Sequence, residues 1–102
     1  MTKQPSSAAK KVPKPEPEKL FGQRVRARRT ELGITQESLA DICQLHWSYV
    51  SSVERGVHNL TLQNILILAE GLGVDPGELV QGLPAPSPEH RKRTRTRSRG
   101  RA

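Results

Sequence analysis

The sequence predicts an all-α domain of five short helices set between two basic tails. Three observations carry that reading. Apolar residues between positions 20 and 80 recur at helical spacings, no stretch alternates with period two over a strand's length, and capping residues stand at regular intervals. The average composition, 33% hydrophobic with eight Pro and eight Gly in 102 residues, hides three zones. Residues 1–19 hold five Lys, two acids and four Pro; residues 81–102 hold seven Lys/Arg against one acid; residues 20–80 collect nearly every Leu, Ile and Val. The formal charges are +3, −2 and +6, so the basicity lives in the tails.

The first helix begins near Leu20, with Phe21, Val25 and Leu32 on one face and Arg24, Arg26, Arg28 and Arg29 on the others. Gly33 ends it, because glycine accepts the left-handed conformation of a C-terminal cap. Thr35 is a good N-cap for a short second helix, Gln36 to Cys43, whose apolar face is Leu39, Ala40, Ile42 and Cys43. After a break at Gln44-Leu45-His46, a third helix runs from Trp47 to Arg55 with Val50 and Val53 inward, and Gly56 stops it. Thr61 caps a fourth, with Leu62, Ile65, Leu68, Ala69 and Leu72 on its face, ended by Gly73. Asp75-Pro76, an N-cap followed by proline at the first helical position, starts a fifth with Leu79 inward.

These features exclude several functions. A core of about 60 residues folds alone only if compact, and it encloses no pocket of catalytic size. The single Cys43 forms no internal disulfide, the longest apolar run is Ile65-Leu66-Ile67-Leu68-Ala69, and the N-terminus has no apolar signal region. The expectation is a soluble, cytoplasmic, nucleoid-associated protein that is not an enzyme, needs no cofactor or metal, and binds neither a membrane nor a small molecule. Cys43 and His46 are three apart, but zinc needs three or four ligands, and Cys43 fits a core slot better.

The tails read as disordered segments, since residues 3–19 bury too little apolar surface to offset chain entropy. LPAPSP at 83–88 reads as an extended spacer. Beyond it, Arg91, Lys92, Arg93, Arg95, Arg97, Arg99 and Arg101 crowd into eleven residues, a run that repels itself until an anion collects it. A nonspecific arm for nucleic-acid phosphates is the expected role, with a solubilising tail or a nuclear-localisation signal as alternatives.

The second and third helices, with a three-residue break and small Ala40 at their junction, form a helix-turn-helix pattern. Spacing alone is a weak signal. The residues GQRVRARRTELGITQESLADICQLHWSYVSSVERG, followed by NLTLQNILILAEGLGVDPGELV, resemble the XRE-type, phage-repressor-like helix-turn-helix family over about residues 21–80. Gly33-Ile34-Thr35-Gln36, Leu39-Ala40, Tyr49-Val50-Ser51, Val53-Glu54-Arg55-Gly56 and the Leu68-to-Val74 segment carry the resemblance.

The resemblance implies that the third helix reads the major groove of double-stranded DNA. Trp47, Ser48, Ser51 and Ser52 would face base edges. Gln36, His46, Tyr49, Arg55, His58 and Asn59 would meet phosphates. Glu54 would pair structurally with Arg29. The sequence departs from the family at two points. Gln44 stands where glycine is common, and His46 replaces the usual Ser/Thr cap of the third helix. The implied function is a sequence-specific transcriptional regulator acting as a homodimer on a palindrome through Leu66, Leu79 or Val80. Controller proteins of restriction systems and antitoxins belong to the same class. A protein-binding adaptor or coactivator on the same fold is the alternative, which the acidic core favours.

Overall fold

The computed structural model describes residues 16–89 and 91. Among them the chain forms α1 (Pro17–Glu31), α2 (Gln36–Cys43), α3 (Trp47–Arg55), α4 (Leu62–Leu72) and α5 (Pro76–Val80), with no strand. The five expected helices are present. The first starts three residues earlier than expected: Pro17 supplies a fixed φ at the first turn, and Glu16 O accepts from the N–H of Lys19 at 3.0 Å.

The caps explain the boundaries. Thr35 Oγ1 accepts from Ser38 N at 3.0 Å, Thr61 Oγ1 from Asn64 N at 3.1 Å, and Asp75 Oδ2 from Gly77 N at 2.8 Å. The C-terminal ends close with the N–H of Leu45, Val57 and Val74 reaching back to the carbonyls of Ala40, Ser52 and Ala69, at 2.9, 3.1 and 3.0 Å. Each closure requires a left-handed residue. Gly56 and Gly73 supply two of them; Gln44 supplies the third at φ 58°, ψ 41°, and is the one non-glycine at positive φ among the described residues.

One core gathers residues of all five helices: Phe21, Val25, Leu39, Ala40, Cys43, Val50, Val53, Leu68, Ala69, Leu72 and Leu79. The most extensive packing is α1 against α3, followed by α2 against α3. At the α1–α3 crossing Gly22 lies directly against the end of α3. A Cβ there would run into the carbonyl oxygen of Val53, with Glu54 O only 2.8 Å away. Gly71 plays the corresponding part on α4, where a Cβ would strike Cys43 Sγ.

Three residues expected inward are exposed. Leu32 is the C-terminal cap residue, past the last turn of α1, so it no longer follows the buried stripe. Ile42 and Leu62 lie at the margins of their helix faces, outside the arc that the other helices cover. Leu79, by contrast, is 3% exposed and fills the core, so it is unavailable to a second subunit. The spacer after α5 begins as a packed segment: Leu83 rests against the core, and Ser87 N donates to Glu16 Oε1 at 3.1 Å. The expectations for residues 1–15 and for Lys92, Arg93, Arg95, Arg97, Arg99 and Arg101 lie outside the described residues.

Two substitutions test these local arguments. Gly22→Ala is expected to cost about 1–3 kcal/mol, because neither backbone at the crossing can yield cheaply. Gln44→Gly is expected to add about 1 kcal/mol by relieving the left-handed strain. Urea unfolding of both variants, with midpoints compared at unchanged m-value, measures the two effects.

Candidate nucleic-acid interface

At about 100° per residue, positions 47, 48, 51, 52 and 55 of α3 share one side, opposite Val50 and Val53. The buried valines therefore turn Trp47, Ser48, Ser51, Ser52 and Arg55 away from the core together. Trp47 is 51% exposed, with its ring 6.0 Å from that of His46. A half-exposed tryptophan at a helix start, with no core duty, is a surface suited to a methyl group or a sugar. The serine hydroxyls each offer a donor and acceptors without selecting a base by themselves. Arg55 Nη2 donates to Ser52 Oγ at 3.2 Å, which aligns the guanidinium along the same side.

Behind this surface lies a polar triad centred on the buried Glu54. Arg29 Nε donates to Glu54 Oε2 at 2.6 Å and Arg29 Nη2 to Glu54 Oε1 at 2.9 Å, a two-point ion pair. Gln36 Nε2 donates to the same Oε1 at 3.0 Å, and Arg29 Nη1 donates to Ile34 O at 2.9 Å. One carboxylate thus joins α1, α2 and α3. Burial pushes the Glu54 carboxyl up. The bonds from Arg29 and Gln36 and the charges of Arg29 and Arg26 outweigh that and hold it below its ordinary value. The Glu54 bond raises the Arg29 guanidinium against its own desolvation, with further help from the charges of Glu54 and Glu37.

The helix-turn-helix elbow uses His46 in an unexpected way. Its Nδ1 accepts from the N–H of Ser48 at 3.1 Å and lies 2.7 Å from Ser48 Oγ. Histidine therefore caps α3 in place of the usual Ser/Thr, because the ring nitrogen reaches the same N–H that a hydroxyl would serve. Nδ1 is occupied as an acceptor, which leaves Nε2 as the nitrogen available to an outside group.

The other expected phosphate contacts are arranged around α4. Tyr49 is half-buried; its hydroxyl accepts from Asn64 Nδ2 at 2.9 Å, and its ring packs on His58 at 4.7 Å. Asn59 is exposed in the loop beside them. The sequence carries no distinct signal for Asn64, which shares the first turn of α4 with the equally polar Gln63. Two arginines on the polar faces of α1 reach across to neighbouring helices. Arg24 Nη1 donates to Leu79 O at 3.2 Å and Gln81 O at 2.7 Å, while Arg28 Nε donates to Leu72 O at 3.0 Å. They satisfy carbonyls at the ends of α5 and α4, as the helix dipole favours. Cys43 is buried with its thiol pushed up, by burial first and then by Glu70, and Sγ donates to Ile67 O at 3.6 Å.

Residues 25–79 match the family model described as helix-turn-helix, more than half of the chain. The chain belongs to the XRE-type helix-turn-helix family. That family is one of DNA-binding transcriptional regulators. The control protein C.BamHI of Bacillus amyloliquefaciens is 45% identical over 62 residues, spanning 60% of this chain and 76% of its own. Among solved structures, the restriction-modification controller protein C.AhdI from Aeromonas hydrophila superposes with a TM-score of 0.60 at 50% identity, covering 61% of this chain and 94% of that one. The restriction-modification controller protein C.Esp1396I, seen as a tetramer in complex with its natural 35 base-pair operator, gives a TM-score of 0.60 at 29% identity, covering 65% and 87%. Among the described residues, no helix is long and apolar enough to cross a membrane.

The triad makes a prediction with a definite sign. A carboxyl held below its ordinary value stabilises the fold above the unfolded group's range, near about pH 4.3, and that stabilisation is lost as pH falls through the lower folded value. Glu54→Gln is expected to lose about 3 kcal/mol at pH 7, because a nearly buried Arg29 is left without its counter-charge. Urea midpoints followed from pH 7 to pH 3 should fall less steeply in the variant than in the parent chain.

Proposed function

We propose that this protein is a sequence-specific double-stranded DNA-binding transcriptional regulator that inserts α3 into the major groove. The observation that carries the reading is the exposed side of α3. Trp47, Ser48, Ser51 and Ser52 stand together there without core duties, while the Arg29–Glu54–Gln36 triad braces the helix from behind. In this reading those four side chains meet base edges. Gln36, His46, Tyr49, Arg55, His58 and Asn59 meet phosphates on either side. Gln36 is engaged with Glu54 through one amide hydrogen, and its second hydrogen is left for a phosphate. The protein acts in the cytoplasm at the nucleoid, and its role is binding rather than catalysis.

One such domain touches too few base pairs for useful selectivity, so a two-fold dimer on a palindrome follows. Leu66 and Val80 are exposed at 45% and 38%, and Leu62 lies one turn before Leu66 on α4. These residues, without Leu79, form the proposed subunit contact. The controller proteins among the relatives favour a regulator of that kind over the adaptor reading.

Selection of bound fragments from a random duplex library is expected to return a palindrome with the parent chain. Ser48→Ala combined with Ser51→Ala should relax its preferred bases while the protein still folds. Recovery of no motif would turn the argument to the adaptor reading. In sedimentation equilibrium, Leu66→Lys is expected to weaken the dimer by about tenfold or more, roughly 1.4 kcal/mol per tenfold.

A further inference from the structure

The serines on the outward side of α3 differ in what their neighbours leave them able to do. A free hydroxyl suits any base edge, since it can donate its own proton or accept another. A hydroxyl whose proton is already held has only lone pairs to offer. Ser48 and Ser52 stand one turn apart on α3, and their neighbours are of opposite kinds.

At Ser48 the neighbour is His46, the residue that replaces the usual Ser/Thr cap. The Ser48 N–H donates to His46 Nδ1 at 3.1 Å, so that nitrogen bears a lone pair and the neutral ring carries its proton on Nε2. Ser48 Oγ lies 2.7 Å from the same Nδ1. The ring nitrogen has no proton to give, and the hydroxyl is therefore the donor. Trp47 flanks the imidazole, with the ring planes inclined by 29°. With its proton turned to His46, the exposed Ser48 oxygen presents only lone pairs to an outside group. Ser52 is the reverse. Its Oγ accepts from Arg55 Nη2 at 3.2 Å, which occupies a lone pair and leaves the hydroxyl proton free.

We propose that His46 determines specificity through Ser48. By holding the hydroxyl proton it makes Ser48 an acceptor, which takes an amino group of adenine or cytosine and refuses the acceptor atoms of guanine and thymine. The inference rests on the DNA-reading function above and assigns a base chemistry to one of its contacts. Guanine N7 and O6 and thymine O4 would set a lone pair against a lone pair, leaving both unsatisfied once water is excluded. A Ser or Thr cap imposes no such polarity, because its own hydroxyl both donates and accepts. His46 is thus a positioning residue for Ser48, while its Nε2–H remains directed to other partners.

The test uses the full chain on the duplex recovered by selection, at about pH 8 so that imidazoles carry no charge. Ser48→Ala and Ser52→Ala, each alone, mark the base pair whose preference each hydroxyl sets. At the Ser48 base pair, deleting the exocyclic amino group is expected to weaken binding of the parent chain about tenfold, with little further loss in Ser48→Ala. Replacing the purine N7 there by carbon should change nothing. His46→Thr keeps a cap on α3 but frees the hydroxyl, so the preference relaxes at the Ser48 base pair and holds at the Ser52 base pair. His46→Asp supplies a cap that only accepts, so it restores the Ser48 preference although repulsion from phosphates lowers affinity overall. Thermal unfolding of both His46 variants checks that the domain remains folded. The proposal is overturned by an unchanged Ser48 preference in His46→Thr, or by equal relaxation at both base pairs, which marks a displaced α3. Sensitivity to N7 in place of the amino group overturns it as well. Each of these leaves the recognition reading standing, whereas absence of any motif with the parent chain removes that reading and this inference with it.

Discussion

A single carboxylate holds the helix-turn-helix together. Glu54 sits near the end of α3, and its side chain is only 3% exposed, yet it stays ionised because three donated hydrogen bonds converge on its two oxygens. Arg29 comes from α1, Gln36 from the first position of α2, and Glu54 from α3, so the relative tilt of all three helices is set at one point. A hydrophobic contact at the same place would bind the helices but would tolerate sliding. A two-point guanidinium–carboxylate pair does not, since its strength depends on planar alignment. Arg29 also reaches Ile34 O, which fixes the turn between α1 and α2 to the same charge.

The close crossing of α1 and α3 complements that polar lock. Gly22 lets the two backbones approach to a separation that no side chain would allow, and Val25, Val50 and Val53 fill the space on either side. The consequence for the surface is direct. With Val50 and Val53 held inward, the angular arithmetic of the helix leaves Trp47, Ser48, Ser51, Ser52 and Arg55 outside. The outward side of α3 is thus a product of core packing as much as of its own residues. His46 and Gln44 show the same economy at the elbow. One caps α3 through a ring nitrogen, and the other bears a left-handed conformation where glycine is easier, so the turn keeps its geometry despite two unfavourable residues.

Electrostatics and shape are assigned to different parts of this molecule. The folded domain supplies a rigid surface with hydroxyls and an indole, groups that discriminate by position and hydrogen bonding rather than by long-range attraction. The positive charge resides in the tails, where it outweighs the acidic domain. Arginines inside the domain contribute little of it. Arg28 is paired with Glu31 and Arg29 with Glu54, while Arg24 is held on helix-end carbonyls. A count of basic residues along α1 therefore overstates its positive potential toward a ligand.

Much of this was legible in the amino-acid order. Helical period, Thr35, Thr61 and Asp75 as caps, and Gly33, Gly56 and Gly73 as stops are local properties, which is why all five helices could be read without any tertiary contact. The Arg29–Glu54 pair came only through family resemblance, since residues 25 apart carry no sign of their meeting. Leu32, Ile42 and Leu62 looked buried because periodicity reports that a face is apolar and not how wide an arc its neighbours cover. Asn64 on Tyr49, Arg24 and Arg28 on distant carbonyls, and the return of Ser87 to Glu16 had no signature at all. The sequence by itself determined the helices, their ends and the segregation of charge, because those depend on neighbours in the chain. Only the tertiary structure decided which polar groups pair and where the tails begin, because those depend on how the helices pack.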